Sequence, residues 1–143
     1  MNHSLFKLLA AVICAIALFF GLVRIWVGLA LMTQAAGVIE FAAFNEPIKD
    51  IRQFLLEMND QALIPLTTVA YLSIIAFMGY CLVFGAVGSW YQKKWGYGLF
   101  ATYLFTHAAL FVNFQTINPK INILITGIIM LFILLFANQH RRI

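Results

Sequence analysis

Outside residues 40–60 this sequence has no acidic side chain. All five, Glu40, Glu46, Asp50, Glu57 and Asp60, fall in the stretch EFAAFNEPIKDIRQFLLEMNDQAL that runs from Glu40 to Leu63. Charge of either sign is scarce: charged residues make up 10% of the chain against 64% apolar, a balance outside the range of soluble globular domains. The net charge of +4 does not point to nucleic acid, because the basic residues occur as pairs (Lys93 with Lys94, Arg141 with Arg142) and build no extended basic face. Only two cysteines are present, Cys14 and Cys81, both inside apolar runs and with neither redox-pair nor zinc spacing, which leaves small apolar packing as their role. Counted along helices they lie at nearly equal depth and are candidate neighbours, although a disulfide there would face a reducing compartment. No serine, histidine and carboxylate set and no pair of carboxylates fits within the apolar runs, so the commonest hydrolytic chemistries have no machinery here. The same absence disfavours proton or cation pumping.

What the chain does have is four long apolar runs, at about 5–32, 63–88, 97–112 and 121–138, against the roughly twenty residues a helix needs to cross a bilayer. The expected fold is all-α, an integral membrane four-helix bundle in a single transmembrane domain. The opening MNHSLFK followed by LLAAVICAIALFFGLV has the form of a secretory signal but is not promptly followed by a small-x-small cleavage site, so a retained first span is expected. Apolar character resumes after Arg24 and continues to Phe44, which reads as one long tilted helix followed by an interfacial segment, with a double pass turning at Arg24 as the alternative.

The acidic stretch reads as a surface helix over about 46–60. Asn45 is placed to cap it, Glu46 suits its positive end and Pro47 is tolerated in the first turn. Ile48, Ile51, Phe54, Leu55 and Met58 recur at helical spacing on one face, so the helix should lie flat on the bundle or in the headgroups. Trp90, Tyr91, Trp95 and Tyr97 around Lys93 and Lys94 have the makeup of an interfacial aromatic belt. With four spans, five basic residues (Lys7, Lys93, Lys94, Arg141 and Arg142) fall on one side and three (Lys49, Arg52 and Lys120) on the other. The positive-inside rule then puts both termini in the cytoplasm and the acidic helix outside a plasma or bacterial inner membrane.

In the second span Gly85 and Ser89 have the spacing that lets helices approach closely. In the third, Thr102, Thr106, Ala109 and Asn113 form one stripe that is expected to face other helices, while the fourth, apart from Asn122, Thr126 and Gly127, is expected to face lipid. Counting depth at about 1.5 Å per residue puts Arg24 near the outer interface, Asn113 level with it, Tyr71 deeper and His107 near the bilayer middle. An ionisable residue within a span is a functional candidate by default. The candidate ligand-binding residues are Arg24, Tyr71, Tyr103, Thr106, His107 and Asn113, of which Arg24, Tyr71, His107 and Asn113 are expected to line one pocket opening outward beneath the acidic helix. For Arg24 the alternatives are snorkelling to the outer headgroups or pairing with Glu40 or Glu46; for His107, a structural hydrogen bond to a helix neighbour. No metal site is expected. Haem at His107 would need a ligand from a second subunit, since His3 and His140 lie at the opposite ends.

Arg24 followed four residues later by Gly28, and the Gly-rich FMGYCLVFGAVG before a charged turn, resemble the DoxX-like family of small four-helix membrane proteins. That resemblance implies a link to quinone or thiol redox systems and carries Arg24 across as a candidate. The chain departs from the family in having TQAAGVIE after the first span, where a Gly and then a Lys are usual, and in lacking an acidic residue in the second. The leading expectation is a non-catalytic membrane subunit or assembly factor that packs with other membrane subunits or with itself and holds a lipid or quinone headgroup. A small transporter or channel using the polar stripe, and the membrane anchor of a redox enzyme, are the alternatives.

Overall fold

The computed structural model describes residues 3–116 and 121–141, with side chains described over 5–116 and 121–137. Lys120 and Arg142, counted above for orientation, lie outside the described residues, as do the side chains of His3, His140 and Arg141. Among the described residues every regular element is helical: α1 (His3–Ala35), a short 3-10 turn (Ala42–Phe44), α2 (Asn45–Asn59), α3 (Thr68–Trp90), α4 (Lys94–Phe114) and α5 (Ile121–Arg141). Leu5–Ala35 and Thr68–Trp90 are long and apolar enough to cross a membrane, and Ile121–Ala137 is a shorter apolar helix.

Residues 3–35 form one helix of about 50 Å, so the chain does not turn at Arg24. It stops at Gly37, whose positive φ of 75° is a conformation that favours glycine. Gln34 then clamps the connector: its Nε2 donates to the Phe41 carbonyl and to Asn45 Oδ1, and its Oε1 accepts from the Phe41 amide. Asn45 is thus the first residue of α2 and not its cap, because its side-chain oxygen is taken by Gln34; Phe44 holds the cap position with no side-chain bond. The expected apolar face of α2 is the one turned inward, with Ile48 and Leu55 buried and Ile51, Phe54 and Met58 half-buried.

Residues 63–67, expected within the second span, precede α3 as a connector tied down by two asparagines. Asn113 donates to the Ile64 carbonyl and accepts from the Ile64 amide, and Asn59 does the same with Leu66. Each side-chain amide imitates a neighbouring strand. Thr67 then caps α3 by accepting from the Ala70 amide.

The long helices close a ring in the order α1, α3, α4, α5 and back to α1, with α2 lying across the end where α1 stops and α3 starts. Glycines set the closest crossings. Gly21 and Gly79 face each other where α1 meets α3, a Cβ on Gly79 falling 2.8 Å from the Gly21 carbonyl oxygen. Gly88 and Gly96 do the same between α3 and α4, beside the tight turn through Gln92. Gly85 and Ser89, noted for their spacing, are buried at that crossing. Phe100, Leu72 and Met78 are the largest fully buried side chains. Cys14 and Cys81 are buried in the same core, and neither is in a disulfide.

The inner face of α4 carries Phe100, Tyr103, Leu104, His107 and Phe114. The stripe of Thr102, Thr106, Ala109 and Asn113 does not face the other helices as expected: Thr102 and Ala109 are exposed, and both threonine hydroxyls donate to the carbonyl four residues back. The two stripes are one residue apart in sequence and therefore about 100° apart around the helix, and the larger aromatic one fills the interior. α5 meets the expectation of an outward helix only in part, since Gly127, Leu134 and Ala137 are buried.

Candidate functional site

Arg24 lies eleven residues before the end of α1, about 16 Å from it along the helix. Its half-buried side chain does not snorkel along the helix. It crosses the ring toward α4, where Nη2 donates to Tyr103 Oη at 3.5 Å, with the guanidinium carbon 5.5 Å from the centre of the same ring. Tyr103 is 4% exposed, so the cation rests on a phenol held rigidly by packing. One turn further along α4, the buried His107 ring lies 5.8 Å from that of Tyr103 and stacks on Phe111 at 5.2 Å and 16°.

Two cavities meet at Arg24. The first, about 150 Å³, is lined by Arg24, Tyr71 and His107 together with Phe54, Ile75, Met78, Phe111 and Phe114 among others. The second, about 310 Å³, lies between α1 and α5 and is lined by Arg24, Tyr103, Asn122 and Thr126 against a wall that includes Ile16, Ala17, Phe20, Leu82, Phe100 and Met130. Ile123 lines both.

The structure therefore brings together four of the six residues singled out from the sequence. Arg24, Tyr71, Tyr103 and His107 line two adjacent spaces that share Arg24 and Ile123. Thr106 and Asn113 are elsewhere, on a groove of about 790 Å³ over the outer faces of α3 and α4. The smaller cavity lies against α2, which lines it through Phe54. Phe54 of α2, Tyr71 of α3 and Phe114 of α4 pack ring to ring over that end, with centroids 5.5 to 6.3 Å apart. Phe54 was visible only as one member of an apolar helix face. Asn122 and Thr126 were visible as a polar pair four residues apart beside Gly127, in a run otherwise almost free of polar groups.

Neither cavity is lined by a carboxylate. Glu40, Glu46, Asp50, Glu57 and Asp60 are all exposed, on or next to α2, so Arg24 is not neutralised by Glu40 or Glu46 within these spaces. What the site offers is one permanent cation, two phenols and an imidazole beside an apolar cleft. Such a set holds and orients a polar group by donating hydrogen bonds, and among the described residues no three His, Cys, Asp or Glu side chains come together to hold a metal ion. No family model, no curated protein and no solved structure matches this chain.

Proposed function

We propose that this chain is a four-span membrane protein, with α1, α3, α4 and α5 crossing the bilayer, α2 on the extracytoplasmic surface and both termini cytoplasmic. In this reading it is a non-catalytic subunit or assembly factor that holds the headgroup of a lipid or quinone at Arg24.

Support for the membrane reading comes from what the bundle turns outward. Phe19, Phe20, Trp26, Phe77, Phe84, Phe105, Phe132 and Phe136 are each at least half exposed, and they occur on all four long helices. Apolar surface of that extent is not sustained in water, whereas hydrocarbon solvates it. Only 28% of the most apolar window of α1 and 44% of that of α3 are buried, where a core helix of a soluble protein would be mostly buried. Since α4 and α5 are packed alongside α1 and α3 in one ring, and each is about 32 Å long, a bilayer around the first two surrounds the others as well.

The observation that carries the function is the Arg24 guanidinium, held by Tyr103 inside the ring and facing cavities that contain no acidic group. A cation kept at that depth needs a partner, and the protein supplies a cavity in place of a carboxylate. The polar stripe of α4 lies on the outer side of the bundle and not along its interior, which supports the subunit reading over a transporter using that stripe. The same stripe, with Ala109 and two threonines at its centre, suits a helix of another subunit or of a second copy.

Purification of the wild type and Arg24→Gln in mild detergent, followed by mass spectrometry of retained lipids and quinones, tests the site. An amphiphile enriched over the bulk membrane in the wild type and lost in the variant is the expected result. Retained lipids that mirror the bulk membrane in both proteins would overturn it.

A further inference from the structure

We infer that the Arg24 site takes an amphiphile with an anionic head, a phosphate or carboxylate, which enters sideways from the bilayer and leaves its tail between α1 and α5. The inference rests on the headgroup reading above and narrows it.

The charge argument comes first. A neutral quinone carbonyl could accept from Arg24 but would leave a full positive charge uncompensated at a depth where water cannot screen it. A phosphate or carboxylate both compensates it and matches the planar fork of the guanidinium, which binds such groups through two parallel hydrogen bonds. The neighbours agree with this sign. Tyr103 Oη accepts from Arg24, so its own hydrogen is left to donate onward on the α1–α5 side, and Tyr71 places a second hydroxyl-bearing ring on the smaller cavity across Arg24. The head compartment of about 150 Å³ equals roughly five water molecules at about 30 Å³ each, room for a small anionic group.

Geometry supplies the route. Toward α2 the head compartment is roofed by the packed rings of Phe54, Tyr71 and Phe114. On the other side of Arg24 the larger cavity reaches the outer surface of the bundle, because Ile16, Phe20, Ile123 and Thr126 line it and are themselves exposed. α1 and α5 also pack less extensively than α1 and α3, so this seam is a loose one in the ring. An alkyl chain lying along Phe20, Leu82 and Met130 would place its head at the guanidinium.

The full chain in a neutral maltoside detergent, titrated with dodecyl phosphate, a decyl-substituted quinone and inorganic phosphate while its thermal midpoint is followed, tests this. Dodecyl phosphate is expected to stabilise saturably, at least about tenfold more tightly than the quinone, with inorganic phosphate inactive at the same concentrations. Arg24→Gln should weaken dodecyl phosphate by roughly tenfold to a hundredfold, and Arg24→Lys by less. Thr126→Phe, which fills the seam and leaves Arg24 in place, should weaken it too, and this variant decides the matter if Arg24→Gln is not helical by circular dichroism. Equal binding of dodecyl phosphate to the wild type, Arg24→Gln and Thr126→Phe would overturn the proposal. Inorganic phosphate matching dodecyl phosphate would overturn sideways entry. Tighter, Arg24-dependent binding of the quinone would overturn the anionic head and leave the headgroup function standing, whereas binding of none of the three would remove both.

Discussion

Arg24 and Tyr103 meet from helices that are not neighbours in the ring, the guanidinium donating to the phenol oxygen at 3.5 Å while sitting 5.5 Å from the ring centre. The ring face and the hydroxyl can be separated by substitution. Tyr103→Phe keeps the face and the volume, so it should cost no more than about 1 kcal/mol of stability, the scale of one long hydrogen bond. Tyr103→Leu removes the aromatic face as well and opens space in a buried position, with an expected loss of about 2–4 kcal/mol. Unfolding in mild detergent followed by circular dichroism measures both. Equal losses would mean that the ring face does nothing for the cation.

Two glycines on one helix should respond in opposite directions. A Cβ on Gly96 would collide with the backbone of Gly88 and Ser89 across the α3–α4 crossing, whereas one on Gly98 meets nothing within 4 Å. Gly96→Ala should destabilise by about 1–3 kcal/mol through overpacking. Gly98→Ala should stabilise by up to about 1 kcal/mol, because alanine is the better helix former and nothing obstructs it. Thermal midpoints of the two variants, taken side by side, check the sign of each.

Asn113 and Thr106 looked equivalent as members of one polar stripe, yet only Asn113 holds another segment. It bonds both backbone groups of Ile64, so Asn113→Leu should loosen the connector at Ile64, with Asn59 still holding Leu66, at a cost of about 1–2 kcal/mol, and raise hydrogen exchange at the Ile64 amide. Thr106 donates only to the Thr102 carbonyl within its own helix, and Thr106→Leu should stay within about 0.5 kcal/mol of the wild type. Hydrogen exchange resolved by mass spectrometry distinguishes them. Protection unchanged at Ile64 in Asn113→Leu would show that the connector is held by something else.

The sequence made Arg24, Tyr71, Tyr103 and His107 legible because polar or ionisable groups stand out in apolar runs, and helical spacing put Tyr103 and His107 on one face. It could not say which of two adjacent α4 stripes turned inward. Thr102, Thr106, Ala109 and Asn113 have the same periodicity as the aromatic stripe beside them, and the choice was made by volume: a ring of four helices needs large side chains at its centre. The end of the first helix was placed short. The first run was counted to Met32, but the helix continues to Ala35, and three residues add about 4.5 Å. The aromatic roof was out of reach altogether, since Phe54, Tyr71 and Phe114 come from three elements and meet only because α2 folds back across the helix ends.

Orientation is the remaining prediction, and the whole site depends on it. Every carboxylate is exposed on or next to α2, and the exposed Lys93 and Lys94 lie at the far end of α3, about 35 Å away along a helix of 23 residues. If α3 crosses the bilayer, positions 57 and 93 must be on opposite faces. The native cysteines are buried, so a cysteine introduced at an exposed position is labelled ahead of them. A membrane-impermeant maleimide applied to intact cells should label Glu57→Cys and spare Lys93→Cys, with both labelled once the membrane is opened. Labelling of both from the same face would leave α3 uncrossed, the ring outside the hydrocarbon, and the Arg24 cleft facing water, where a charged side chain needs no ligand to explain it.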